Sequence, residues 1–379
     1  MKLYVALSLA STAALLTFGG CDSEAEPAEP LALEWAVPYQ EFPRGLLLDP
    51  LLAEDGRVLT AADGFLTLRE GDDGETVWQE PWPGERDTFE REWTTDGEVV
   101  FVAPAEQSVV SAYEVATGER LWQGSLPANH EFYFPSQGAT DEAAVYFPTR
   151  SGDRWFMAKF DRATGQRLGL FLVGGEVGSV FTSRVVNGVL VVGQSWGGTN
   201  DAAGAVVGLD PDSGAELWRY EVDPGTGVFT YAALWDAGGR VYAGTYLGSG
   251  RLVCLNATTG EPIWEVDGVG PNATELVETP SGLRLFLNTG TTVRAFDADT
   301  GRQLWAEQKG SHGEANVAYA NGVLYHGHGG SIYAFDAETG EHLAQVGTGA
   351  SVFDMEAAAE HGRLYVLGGG QLEARTLIR

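Results

Sequence analysis

The chain is short of basic residues and of cysteine, and each shortage excludes a class of function. Lys and Arg together number 23 against 53 Asp and Glu, for a formal charge of −30. A surface of that sign is repelled by phosphate backbones, which excludes nucleic acid as a partner. Only two cysteines occur, Cys21 and Cys254, so no disulfide framework organises the fold. After residue 18 there is no apolar run long enough to cross a bilayer, which takes about twenty helical residues. Phosphate-loop and His-Glu-x-x-His patterns are missing, and with them a nucleotide cradle and a zinc-peptidase helix. What is abundant is glycine, at 51 residues, with 11 Trp and many β-branched runs. Such a composition points to many short strands joined by tight turns.

The N-terminus is set apart first. Lys2 precedes a mostly apolar run from Leu3 to Phe18, and Phe18-Gly19-Gly20-Cys21 follows. This resembles the bacterial lipoprotein signal, which implies removal of residues 1–20 and acylation of Cys21. Residues 21–30 are acidic and proline-punctuated, with nothing fit for a core, and read as a flexible tether. The expected location is the cell envelope, lipid-anchored and facing the periplasm, with inner and outer membrane both open. Residues 31–379 are then a single domain.

That domain is built from a repeat. Ala295-Phe296-Asp297-Ala298-Asp299-Thr300-Gly301, followed by Trp305, is one copy. Others place Gly118 before Trp122, Gly214 before Trp218, Gly260 before Trp264 and Gly74 before Trp78. Gly165 and Gly340 end two more, with Gly169 and Ala344 where Trp is expected. The acid or Asn accepts hydrogen bonds from the turn amides, and the glycine takes the positive φ that closes it. Trp, four residues on, buries a broad plate between neighbouring sheets. Upstream of each turn lie two strand-like runs joined by hairpin dipeptides such as Asn187-Gly188 and Asn321-Gly322. Four strands per unit, A to D, make one blade of a β-propeller.

Six intervals separate Gly74 from Gly340, so the unit recurs about every 44 residues. The stretch from Leu31 to Arg379 then holds eight. The eighth is split: residues 351–359, 363–367 and 372–378 supply A, B and C, and Leu33-Glu34-Trp35-Ala36-Val37 supplies D. The N-terminal strand is expected to complete the last blade and close the ring. Seven blades with unrelated ends is the alternative. The structural tryptophans are thus Trp35, Trp78, Trp122, Trp218, Trp264 and Trp305.

The Ala-x-Asp-x-x-Thr-Gly-x-x-x-Trp unit resembles the repeat of quinoprotein-type propellers. The whole plan, with an N-terminal Trp-bearing strand and a penultimate unit lacking Trp, is similar to the family of propeller lipoproteins of the outer-membrane β-barrel assembly machine. That resemblance implies an eight-bladed, non-enzymatic scaffold with an envelope protein as partner. The quinone-dependent dehydrogenases share the repeat, and their family pattern implies paired cysteines and acidic calcium ligands. Here no two cysteines are adjacent, and turn capping accounts for the repeated acids. No cofactor is expected. A quinone- or metal-dependent oxidoreductase and a small-ligand or glycan-binding propeller are the alternative functions.

His326 and His328 alternate on a strand near His312 and are weak candidates for a metal, which wants three or four ligands. Cys254 fills a slot held elsewhere by Ala or Gly and reads as a small buried residue. The A–B and C–D connections are short, whereas the D–A and B–C connections on the other face are long and irregular. That face carries the candidate partner-binding residues Trp82, Arg86, Phe132, Tyr133, Arg150, Arg154, Arg184 and Trp196, since aromatics and Arg are enriched at interfaces.

Overall fold

A computed structural model gives the fold. It describes residues 31–39, 46–47, 56–82, 93–104, 107–132, 137–173, 179–196, 203–246, 249–271, 273–309 and 317–378. The signal and tether expected within residues 1–30, Cys21 included, lie outside them. Each repeat forms a four-stranded antiparallel sheet with strands in sequential order, as in Ala273–Thr279, Gly282–Asn288, Thr292–Asp297 and Gln303–Gln308 of blade six. In blade three, strand A is split into Glu131–Phe132 and Ala139–Thr140, both paired with Ala144–Ser151.

Strands B and C are buried on both faces, so their alternation does not separate an inside from an outside. In blade six, Leu285, Leu287 and Phe296 pack with Tyr242 and Cys254 of blade five. Phe286, Val293 and Ala295 pack with Leu324 and Phe335 of blade seven. Successive side chains therefore serve the preceding and the following blade.

The blades are coupled by one recurring contact. The seven turn glycines hold φ between +69° and +77°. On each lies the aromatic ring of the preceding blade, so close that an added Cβ would come within 2.3–2.8 Å of it. Glycine is required twice, by its dihedral and by the ring above it. The indole N–H of Trp35, Trp78, Trp122, Trp218, Trp264 and Trp305 donates to a carbonyl of the same turn at 2.7–3.0 Å. Trp and Gly stand four apart in sequence, yet each Trp acts on the next glycine along the chain.

Blade three, which lacks Trp, rebuilds this contact from two residues. Phe171 turns its ring over Gly214, and it fits because Gly169 has no side chain in its way. Lys159 donates through Nζ to the carbonyl of Pro211 at 2.9 Å, in place of the indole N–H. Blade seven reverses the arrangement. Its target turn joins the two ends of the chain: Leu31 N–H donates to Thr376 O at 3.1 Å, and Thr376 N–H to Ala32 O at 2.9 Å. Gly301 with Asp297 and Asp297 with Arg302 make the same bonds in blade six. Leu31 occupies the turn-glycine position with φ of 60° and is fully buried. Its side chain shares a core with Ala344, the small residue standing where Trp is expected.

Eight blades close as expected, and the seven-bladed alternative does not. Leu33–Pro38 pairs with Gln371–Thr376, setting Trp35 opposite Ala374. From there Trp35 reaches the Gly71 carbonyl of blade one. Trp35→Ala is therefore expected to destabilise the domain about as much as Trp264→Ala, by about 3 kcal/mol. Equilibrium denaturation measures both. An unchanged midpoint for Trp35→Ala contradicts closure by this strand.

Candidate functional site

Antiparallel order puts the A–B and C–D turns on one face of the disc and the B–C and D–A connections on the other. The first face is committed to structure. Asp161, Asp210, Asn256, Asp297 and Asp336 each accept backbone N–H bonds from their own turn. Hydroxyls of Thr164, Ser213 and Thr300 donate to Asp161, Asp210 and Asp297, which holds those carboxyls below the usual range. A second acid in the turn reaches back to the preceding blade. Asp72 meets Arg363 at 2.8 Å, Asp212 meets Lys159 at 2.8 Å, and Asp299 and Glu338 meet Arg240 and Arg284. The acids of these stitches are solvated, whereas Lys159 and Arg284 are largely buried.

The opposite face holds fewer of the expected residues than the sequence suggests. Trp82 is half-buried against the core between blades one and two. Trp196 ends strand Val189–Trp196 and packs against the core between blades three and four. Arg154 is exposed, with its guanidinium 5.7 Å from the Phe156 ring centroid. Arg150 pairs with Glu131 at 2.7 Å across a two-residue strand contact.

Two expectations are corrected. Phe132 is 2% exposed and packs edge-on to Phe147, because Glu131–Phe132 joins the sheet instead of looping out. Arg184 lies three residues before the Asn187-Gly188 hairpin, toward the opposite face from Trp196, since strand A already starts at Ser179. Arg86 and Tyr133 lie outside the described residues. The spacing Gly193-Gln194-Ser195-Trp196-Gly197 matches a nucleophile elbow, a pattern that the propeller repeat hides. Ser195, however, sits in an extended strand opposite Ser179 and Gly204, not at a strand-to-helix turn.

Buried titratable groups cluster elsewhere. Burial and the nearby Asp354 raise the carboxyl of Glu275, on the innermost strand of blade six. His326 is 1% and His328 9% exposed, on one face of strand Val323–His328, with Nδ1 of both unpaired. Burial first, then His328 and Lys309, lower His326 to about 3. His312 lies outside the described residues, among which no three His, Cys, Asp or Glu share a metal-binding geometry. Cys254 is buried opposite Trp264, and burial raises its thiol to about 11. It stays a protonated thiol beside the indole. Among the described residues the repeated acids cap turns, and none of them joins a donor set for calcium.

The profile of a family described as outer membrane protein assembly factor BamB matches residues 33–199 and 202–351. BamB of Burkholderia pseudomallei (strain K96243) is 23% identical over 301 residues, 67% of this chain and 75% of that protein. Quinohemoprotein alcohol dehydrogenase ADH IIB of Pseudomonas putida is 28% identical over 200 residues, 44% of this chain. The chain spans 27% of that enzyme, and 20% of the quinone alcohol dehydrogenase subunit of Acetobacter aceti. The crystal structure of BamB from Moraxella catarrhalis superposes with a TM-score of 0.66 at 16% identity, covering 92% of this chain and 100% of that one. At that identity the likeness establishes the fold alone.

Burial of His326 has a measurable consequence. Its folded pKa, about 3, lies below the ordinary value of 6.5, so the unfolded chain binds the extra proton between them. Its contribution is complete above that upper value and is lost as pH falls toward the lower one. His326→Leu, which copies Leu287 of blade six, is expected to gain on the wild type by up to about 1.4 kcal/mol per pH unit in this window. Denaturation of both proteins at several pH values tests this. A pH-independent difference contradicts it.

Proposed function

The chain belongs to the family of the outer membrane protein assembly factor BamB, and we propose on that basis that it is a non-enzymatic scaffold. It is tethered to a membrane of the cell envelope through Cys21, binds an envelope protein, and serves outer-membrane protein assembly. The observation that carries this reading is the family match, which runs through nearly all eight blades. The division of the disc supports it. One face spends its acids on turns and stitches, and the other is left with exposed Arg154 and the half-buried Trp82 and Trp196.

A second reading, a quinone-dependent oxidoreductase, is favoured by the likeness to the Pseudomonas putida enzyme. Adding pyrroloquinoline quinone, calcium and an artificial electron acceptor separates the two. The scaffold predicts no turnover.

Trp82→Ala combined with Trp196→Ala is expected to lower recovery of the co-purifying protein partner at least about tenfold, since interface aromatics often carry about 2 kcal/mol or more each. The comparison is made where the variant keeps its cooperative melting transition. Glu119→Ala with Glu261→Ala, on the turn face, should leave recovery unchanged. Loss of the partner in the second pair and not the first contradicts the assignment of the face.

A further inference from the structure

On the rim of the disc every blade ends in strand D, whose outer backbone edge has no partner strand among the described residues. Side chains alternate along it, one set packing onto the next blade and the other pointing away. Edges of this kind are normally guarded by charge or proline. Blades one and eight end the strand at Pro81 and Pro38. The middle outward position is Gln123, Arg219, Glu265 and Gln345 in blades two, four, five and seven. In blade six the small Ala306 takes it, with Gln308 beyond.

Blade three has neither a guard nor a small residue there. Its strand D, Arg167–Leu172, sets Leu168, Leu170 and Leu172 on the outward side: Leu168 and Leu172 are 51% and 44% exposed, and Leu170 between them is half-buried against the core of blades two and three. The first position is an exposed Leu or Ile in blades two, four, five and seven as well, so Leu170 and Leu172 are what set blade three apart. Loss of the blade tryptophan does not explain this stripe, because blade seven also lacks Trp and keeps Gln345. Two guanidiniums flank the leucines. Arg167 donates to the Ser125 carbonyl at 3.0 Å, and Arg154 lies over Phe156 beyond Leu172. Neither has a carboxylate partner among the described residues, in a chain with 53 acids.

We infer that strand D of blade three is a strand-addition site for an extended segment of another protein, apolar at alternate residues and acidic at both ends. Backbone pairing along the open edge gives the affinity, the leucine stripe selects the alternating pattern, and Arg154 and Arg167 select the acidic ends. A second copy of this chain fits poorly. Antiparallel self-pairing about Leu170 brings Arg167 of one copy toward Arg154 of the other, and both molecules carry a charge of −30. The inference deepens the scaffold reading by adding a surface on the rim, and a defined peptide tests it apart from the native partner.

The probe is a fluorescent peptide of about eight residues, enough to span the strand, with alternating Val and Thr between terminal Asp residues. Fluorescence polarisation follows its binding to the full chain. Binding is expected to weaken at least about tenfold when Leu170→Lys restores a guard, and likewise for Arg154→Glu with Arg167→Glu. It should vanish when alternate peptide amides are N-methylated, and be unaffected by Gln345→Lys on blade seven. Circular dichroism confirms that each variant is folded. Absence of binding, equal binding by Leu170→Lys, or equal binding of the N-methylated peptide overturns the inference. So does dimerisation of the wild type that Leu170→Lys abolishes, which would make a second copy the occupant. None of these outcomes affects the Trp82 and Trp196 result on which the scaffold reading rests.

Discussion

An aromatic ring laid on the turn glycine of the next blade is the contact on which the rest of the architecture depends. It fills the gap between two sheets, and its N–H bonds a turn carbonyl that would otherwise lie unpaired at the interface. A blade alone would leave both faces of strands B and C open to water. Stacked with two neighbours it leaves neither open, so stability is shared around the ring and no blade is independent. That requirement forces closure, and closure forces the N-terminal strand to carry its own Trp35.

Most of this was legible because the contact is encoded at fixed spacing. The glycine, the capping acid and the tryptophan recur together, and four strands per unit follow from hairpin dipeptides between apolar runs. What the spacing concealed is that each Trp acts on the following unit. Substitutes were harder to see for the same reason. Lys159 sits on strand C and Phe171 two residues beyond the Trp slot, so neither aligns with the residue it replaces. Leu31 stands in for a glycine across the two ends of the chain, where no sequence window joins it to Thr376. The residues expected on the partner face were less legible. Connection lengths assigned from the repeat were too long, and strands that extend further than expected carry Phe132 into the core and Arg184 toward the other face.

The two faces and the rim divide the work between them. Turn capping and inter-blade ion pairs occupy the acids of one face, which accounts for repeated carboxylates without catalysis. The other face and the edge of blade three are where the repeat departs from its own rule. In a repeat protein, positions that break the pattern without serving the interlock are where selection for a partner can act. Phe171, Gly169 and Lys159 break it in the service of packing, and Leu170 does so in part, whereas Leu172 does not.

The interlock itself is tested most directly at the closing turn. There a leucine and an alanine take the places that glycine and tryptophan hold elsewhere, so the two sites can be exchanged in a double-mutant cycle of Leu31→Gly and Ala344→Trp. Ala344→Trp alone should destabilise the domain, because the indole and the Leu31 side chain claim one space. Leu31→Gly alone should also destabilise it, by emptying that space. Together they recreate the pair used by the other blades, and the coupling measured by denaturation should reach about 2 kcal/mol in favour of the double variant. Additive losses would contradict the account, and would mean that ring and glycine do not act as one unit.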